Sequence, residues 1–341
     1  MRKPDFDRTN VRAWAREHMR GVANVVTPTY SADLQTINEE ALRHDVRLEI
    51  EMKFWGALLV SETANTIPEY EQLMRAAVDE ARGRFHLIHH ASFNTLADNI
   101  EAVQRNERAG ATLVLLGYPP NFYPRDEAEI HHYTKSFCDA TNLGIVLFPV
   151  PLWNFERIHP SAGFSPGLIA RLLDECPNIV AIKAEGGMPS IGGFVDVYRR
   201  FSDRVLVIEP IESNGLPMAT VVPMPFMGTS NYEYYGTAIP RIFDLIQRGR
   251  HDEAMDQYWA LHHARQANGA AMAVLAGTNF LHRMLWKYQG WLQGFNGGPL
   301  RAPTMRLNDR QMKSLRGGLL AAGLPCTEDE DAAFFIGRNP S

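Results

Sequence analysis

From about residue 22 onward, short unbroken apolar runs alternate with longer stretches in which apolar residues recur every three or four positions. The runs are residues 22–26, 54–60, 85–89, 112–117, 144–150, 179–183, 205–208 and 227–231. Each is rich in Val, Ile and Leu, the pattern of a strand buried on both faces. Between them, residues 69–82, 95–109, 127–141 and 166–175 read as helices. Asn94 and Ser165 stand where caps belong, and Gly83 and Gly110 where helices stop. Eight strand-helix units over roughly 230 residues predict an α/β chain folded as a (β/α)8 TIM barrel. A doubly wound open sheet is the alternative, but no GxGxxG follows the first run. The eighth strand is the least defined, because Pro217, Pro223 and Pro225 crowd the segment before it.

After about residue 250 the strand pattern ends. Residues 251–269, 270–289 and 309–322 read as helices, joined by the Gly/Pro-rich stretch 294–299. The expected organisation is therefore a barrel with an N-terminal extension (1–250) and a C-terminal helical region packed on it (251–341). Residues 327–341 are polar and expected to fray.

Composition narrows the partners more than the chemistry. The 341 residues are 45% hydrophobic and 21% charged with a net charge of −5, and there is no basic block, so nucleic acid is not expected to bind. No stretch reaches the eighteen or so apolar residues that span a bilayer. The charged start, Met1 to Arg8, lacks the apolar core of a signal peptide. Cys138, Cys176 and Cys326 are widely spaced with no CxxC, which argues against a disulfide framework or zinc cluster and fits a reducing cytoplasm. No metal or organic cofactor is expected.

Lys183 carries the strongest chemical signal. It ends Asn178-Ile179-Val180-Ala181-Ile182-Lys183, an apolar run, whereas the other five lysines lie in polar or helix-like surroundings. Burial there disfavours the ammonium, and a neutral amine attacks carbonyls to form a Schiff base. The bland alternative is a strand-edge lysine with its head in water. Function in such barrels gathers at the carboxyl ends of the strands. Those ends bring Glu62 and Thr63, His89 and His90, Phe148, Glu185, Glu209 and Asn231 toward Lys183. Adjacent strand residues point opposite ways, so one of His89 and His90 faces the barrel and the other packs behind it.

In order along the chain, these residues match a known pattern. The sequence resembles the dihydrodipicolinate synthase/N-acetylneuraminate lyase family of class I aldolases and hydro-lyases. Residues 178–183 resemble its NIVGIK signature, Thr27-Pro28-Thr29 its TPF element and Ala109-Gly110-Ala111 its AGAD step. Pro119 to Pro124 spans its PYYNKP loop, and Gly298 to Leu324 resembles its ending. The resemblance implies an imine between Lys183 and a 2-oxo acid, and a homotetramer or homodimer. The departures are equally informative. The family's GTTGE loop is Ser61-Glu62-Thr63-Ala64-Asn65 here, its relay tyrosine falls at Phe148, its arginine near Trp153, and the second tyrosine of its loop at Asn121.

The expected catalytic set is Lys183, Glu62, Thr63, His89 and Glu209, with Phe148, Trp153, Asn121, Glu185 and Asn231 contacting substrate. Phe148 cannot move a proton, so Glu62, which takes the place of the relay threonine, or His89 or Glu209 must do so. The aromatic replacements Phe148, Trp153, Phe155, Tyr118, Phe122 and Tyr232 suggest a bulkier substrate, or one whose carboxylate is held elsewhere, with Arg157 as a candidate. Hydratase-aldolases of aryl-substituted 2-oxo acids are the nearest subgroup by analogy, although they keep the tyrosine. Two other classes compete: a metal-dependent barrel hydrolase using His89, His90, Glu62 and Glu209, disfavoured by the lack of HxH and HExxH motifs, and a barrel retained for binding or assembly.

Overall fold

The computed structural model describes residues 6–185, 191–273 and 282–341. Eight parallel strands, β1 (Gly21–Val26), β2 (Gly56–Leu59), β3 (His86–Ala91), β4 (Leu113–Leu116), β5 (Gly144–Leu147), β6 (Ile179–Lys183), β7 (Leu206–Ile208) and β8 (Phe226–Met227), run in the order β7-β6-β5-β4-β3-β2-β1-β8. β8 pairs with β1 through Gly21–Phe226 and Val22–Met227, while β7 meets β8 without a ladder, so the barrel is nearly closed. The strands are buried along almost their whole length, as expected of apolar runs covered on both faces.

Around the barrel lie α1 (Val11–His18), α2 (Glu39–Glu51), α3 (Ile67–Ala81), α4 (Leu96–Ala109), α5 (Glu127–Asp139), α6 (Pro166–Glu175), α7 (Ile191–Phe201), α8 (Glu212–Val221) and α9 (Ala238–Gln247). Beyond them α10 (His251–Ala260), α11 (His262–Met272), α12 (Arg283–Leu292) and α13 (Asp309–Ala321) form the C-terminal helical part. Local chemistry fixes the boundaries. Thr66 and Glu69 make a capping box that starts α3, and the Ser165 hydroxyl accepts from the Leu168 amide to start α6. Gly110 ends α4 at φ 107°, where an added Cβ would lie 2.9 Å from Val78, so both conformation and space demand glycine.

Four expectations shift. The eighth strand is two residues at Phe226–Met227 rather than 227–231, because α8 carries Pro217 inside it and the chain turns away after Met227. Thr95, one residue past Asn94, caps α4 through the Asp98 amide. The predicted helix 251–269 breaks at Leu261 into α10 and α11. The tail is not frayed, because Phe334 is fully buried against Tyr288 and Trp291, and Arg338 donates to the Phe295 and Trp291 carbonyls.

Candidate active site

Lys183 ends β6 in register with Ile208 of β7, and its side chain is buried, with the residue only 4% exposed. Burial is the largest influence on its ammonium and pushes the pKa below the ordinary lysine value. Glu185, whose Oε2 lies 3.2 Å from Nζ, opposes that shift, and the Arg283 charge adds to it. Nζ also sits 3.9 Å from the centre of the Phe148 ring, a cation–π contact that an aromatic without a hydroxyl can make.

Phe148 follows β5 and meets Trp153 edge-on, with ring centres 5.6 Å apart, and its carbonyl accepts from the Trp153 indole at 2.6 Å. Trp153 in turn meets Tyr118 at 5.7 Å. Gly117 makes room for this ledge, since a Cβ there would lie 2.8 Å from the Ala91 carbonyl oxygen and 3.3 Å from the Trp153 ring. Trp153, Tyr118 and Phe122 wall a cavity of about 490 Å³ whose polar side carries Ser61, Glu62, Ser92, Asn94 and Arg283. Phe148 links this wall to Lys183, since its ring meets both Trp153 and the lysine amine.

Glu62 is the electrostatic centre of the polar side. It accepts from Ser92 Oγ at 3.0 Å, forms an ion pair with Arg283, and lies 3.9 Å from His90 Nε2. Burial, the largest single influence, would raise its pKa, but the Arg283 charge, the His90 charge and the hydrogen bonds from Arg283 and Ser92 together outweigh it and hold the carboxyl down at about 2. Two buried polar atoms along this side, Arg283 Nε and Ser61 Oγ, have no hydrogen-bond partner among the described residues.

The two histidines part company as the strand alternation demands. His90 turns toward Glu62, with its pKa lowered to about 4 mainly by burial. His89 faces outward, where its Nδ1 meets the Asn106 amide of α4 at 2.9 Å, with its pKa lowered to about 3 by burial. The structure therefore places His90, not His89, beside Glu62. A metal site shared by His89 and His90 is not assembled, and among the described residues no three His, Cys, Asp or Glu side chains converge as metal ligands.

The remaining candidates scatter. Thr63 is buried and spends its hydroxyl on Tyr30 and Asn65, at 3.2 and 3.1 Å, which holds the loop in shape. Glu209 is buried at the end of β7, where Oε1 accepts from the Ile211 amide at 2.9 Å and its charge is felt by Lys183. Asn231 is buried against Glu233 at 2.8 Å. Asn121 lies on the exposed turn beside the cavity rather than in its wall. Arg157 is exposed over the Tyr123 ring and donates to the Pro124 carbonyl. The Tyr118 hydroxyl points away to Thr134 at 2.6 Å, and that of Tyr232 donates to the Pro210 carbonyl, so neither aromatic offers its hydroxyl to Lys183.

Arg283 and Ser92 escaped the sequence reading. Arg283 opens α12, within a stretch predicted only as helix, and 100 residues separate it from Lys183. Ser92 lies one residue past Ala91, in the turn after β3, beyond the strand-end residues His89 and His90 that the sequence singled out.

Comparison with known proteins agrees with this architecture. Residues 18–311 match the dihydrodipicolinate synthetase family. A protein of Saccharopolyspora erythraea named "Probable 5-dehydro-4-deoxyglucarate dehydratase" is 26% identical over 90% of this chain and 94% of its own length. A protein of the same name from Methylobacterium radiotolerans is 26% identical over 84% and 90%. Dihydrodipicolinate synthase from Aquifex aeolicus shares the fold with a TM-score of 0.76 at 17% identity, covering 91% of this chain and all of that one. N-acetylneuraminate lyase from Fusobacterium nucleatum superposes with a TM-score of 0.71 at 19% identity, over 89% and 98%. The chain belongs to the dihydrodipicolinate synthetase family and is a lyase of the Schiff-base type that this family comprises.

Proposed function

We propose that this protein removes water from a hydroxylated 2-oxo acid through an imine on Lys183, a reading supported by the dehydratase names of its relatives. The observation that carries it is the buried Lys183 amine at the end of β6, depressed by burial and held between a carboxylate and an aromatic ring. Phe148 and Glu185 occupy the positions next to Nζ, so the substrate carbonyl takes their place as it approaches. Glu185 accepts the lysine proton, and the free amine adds to the carbonyl. Loss of water from the carbinolamine gives an iminium, which acidifies the adjacent C–H. Removal of that proton expels the neighbouring hydroxyl as water, and hydrolysis of the imine returns the lysine. Phe148 takes no part in proton transfer, so the transfers fall to Glu185 and to the Glu62–His90–Ser92 group.

Reduction with borohydride in the presence of pyruvate is expected to leave a stable adduct on Lys183, located by peptide mass spectrometry. An adduct on another lysine, or none with any active substrate, would refute the imine. A homodimer or homotetramer accompanies this reading. It is supported by Trp259 and Leu320, 64% and 54% exposed on the C-terminal helices, and is checked by sedimentation velocity. Three free cysteines, two of them buried, fit a cytoplasmic setting, and no described helix is long and apolar enough to cross a membrane.

A further inference from the structure

Arg283 combines three properties that a purely structural arginine does not need. It comes from the C-terminal helix α12 yet lines the cavity at the barrel mouth. It is buried, at 7% exposure, and its charge reaches Lys183. Its side chain is also under-used, because Nη2 binds Glu62 while Nε, on the same edge of the guanidinium, has no partner among the described residues. A planar guanidinium edge accommodates both oxygens of a carboxylate, and a buried donor left unpaired is costly. Glu62 takes only half of that edge. The Ser61 hydroxyl, buried and unpartnered on the same wall, offers a further donor.

We propose that Arg283 receives the distal carboxylate of a dicarboxylic 2-oxo acid, and that this carboxylate displaces Glu62, leaving Glu62 on Ser92 and His90 as the proton carrier for the reaction at Lys183. The inference rests on the imine reading above and adds the substrate class and the residue that selects it. Glu62 already has its second set of partners, Ser92 Oγ at 3.0 Å and His90 Nε2 at 3.9 Å, so the exchange needs only a short swing. It also resolves a conflict in the resting site. A carboxyl held at about 2 by Arg283 cannot donate a proton near neutrality, whereas one whose arginine is engaged elsewhere feels mainly its burial, which raises its pKa. A substrate carrying a second carboxylate thus switches on the carrier, and a monocarboxylate leaves it paired.

The test compares the trapping of pyruvate and 2-oxoadipate on Lys183 by borohydride, with the half-saturating concentration of each as readout. Wild type is expected to favour 2-oxoadipate on the order of tenfold, and Arg283→Gln to bring the two close to parity with pyruvate still trapped. Glu62→Gln, which removes the competing charge, is expected to bind 2-oxoadipate several-fold more tightly while exchange of its C3 protons with solvent falls on the order of a hundredfold. Three results would overturn the proposal: a preference that survives Arg283→Gln, equal loss of both ligands in that variant, or weaker 2-oxoadipate binding in Glu62→Gln. Arg283→Lys, which keeps the charge but loses the paired edge, should retain only part of the preference, and a full wild-type preference in that variant would overturn the role of the edge. Absence of any adduct in wild type would instead refute the imine itself, and this inference with it.

Discussion

Two lysines are buried among the described residues, and one of them has the surroundings of a nucleophile. Lys183 ends a barrel strand with one carboxylate and one aromatic ring beside its nitrogen. Lys287, on α12, is equally buried, and burial brings its pKa down to about 7 against the opposing charge of Asp45. Its nitrogen, however, donates to the Pro28 carbonyl at 2.8 Å and to Thr29 Oγ1 at 2.7 Å. Those bonds tie α12 to the segment after β1. Two residues on, Tyr30 holds Thr63 and Asn65 in the β2 loop. Lys287 therefore acts as a strut behind the site. Desolvation depresses both amines; what separates them is what the ammonium donors are committed to, two neutral oxygens at Lys287 and a carboxylate with an aromatic ring at Lys183.

Exchanging the roles of the two lysines is the most direct way to break this contrast, and the largest effect belongs to Lys183. Lys183→Ala is expected to lower turnover on the order of a thousandfold or more, with no borohydride adduct and a thermal midpoint close to wild type. A variant that kept more than a tenth of wild-type turnover would show that the reaction does not pass through an imine on Lys183.

Lys287→Met should do the reverse. It removes one of the cations, with His44 and Arg338, that offset the buried Asp45, whose carboxyl burial raises to about 6 and which accepts from the Asn296 amide at 2.6 Å. A loss of about 3 kcal/mol in urea unfolding is expected, with the Lys183 adduct still forming in the folded fraction. Little loss of stability would mean that the strut contributes less than its geometry suggests.

The carboxylates of the two regions should respond to pH in opposite directions. Glu62 is held at about 2 against an ordinary value of 4.5, so its contribution is present above about 4.5 and is lost as pH falls toward 2. Glu233, buried beside Asn231, is pushed up to about 8 by burial, so the folded state keeps a proton that the unfolded chain releases above 4.5. Its effect is a stability that declines as pH rises from 4.5 to 8 and then levels off. Glu233→Gln should flatten that decline, by up to a few kcal/mol at pH 8, and Glu62→Gln should flatten the acid limb instead. Chemical denaturation at a series of pH values separates the two.

These regions also differ in how visible they are along the chain. β1 to β7 follow runs whose burial on both faces shows directly as unbroken apolar sequence. Lys183 stands out because a cation interrupts such a run. His89 and His90 illustrate the next level: alternation says that they diverge, but only the packing of Asn106 from α4 decides which one faces out. Arg283 and Lys287 show where local pattern stops helping. Both sit on a helix whose spacing announces only amphipathicity, and both act on loops more than 200 residues earlier in the chain. Contacts of that kind depend on how the helical region docks, which no local window contains. The tail misleads for the same reason, since its polar composition hides the single Phe334 that anchors it.

The smallest expected effect refines what makes Lys183 different. Glu185 is the main influence opposing burial at that amine, so Glu185→Gln removes a charge that favours the ammonium and lowers the lysine pKa further. The rate of imine formation with pyruvate rises with pH as the amine loses its proton, and its midpoint should therefore move to lower pH, by about one unit. If Glu185 only tuned the charge, the plateau at high pH would be unchanged. If it also accepts the lysine proton, as the 3.2 Å separation allows, the plateau should fall on the order of tenfold while the midpoint still moves down. Stopped-flow trapping across the pH range distinguishes these cases. A midpoint that moved up, or stayed fixed, would show that the carboxylate turns away from the amine in solution.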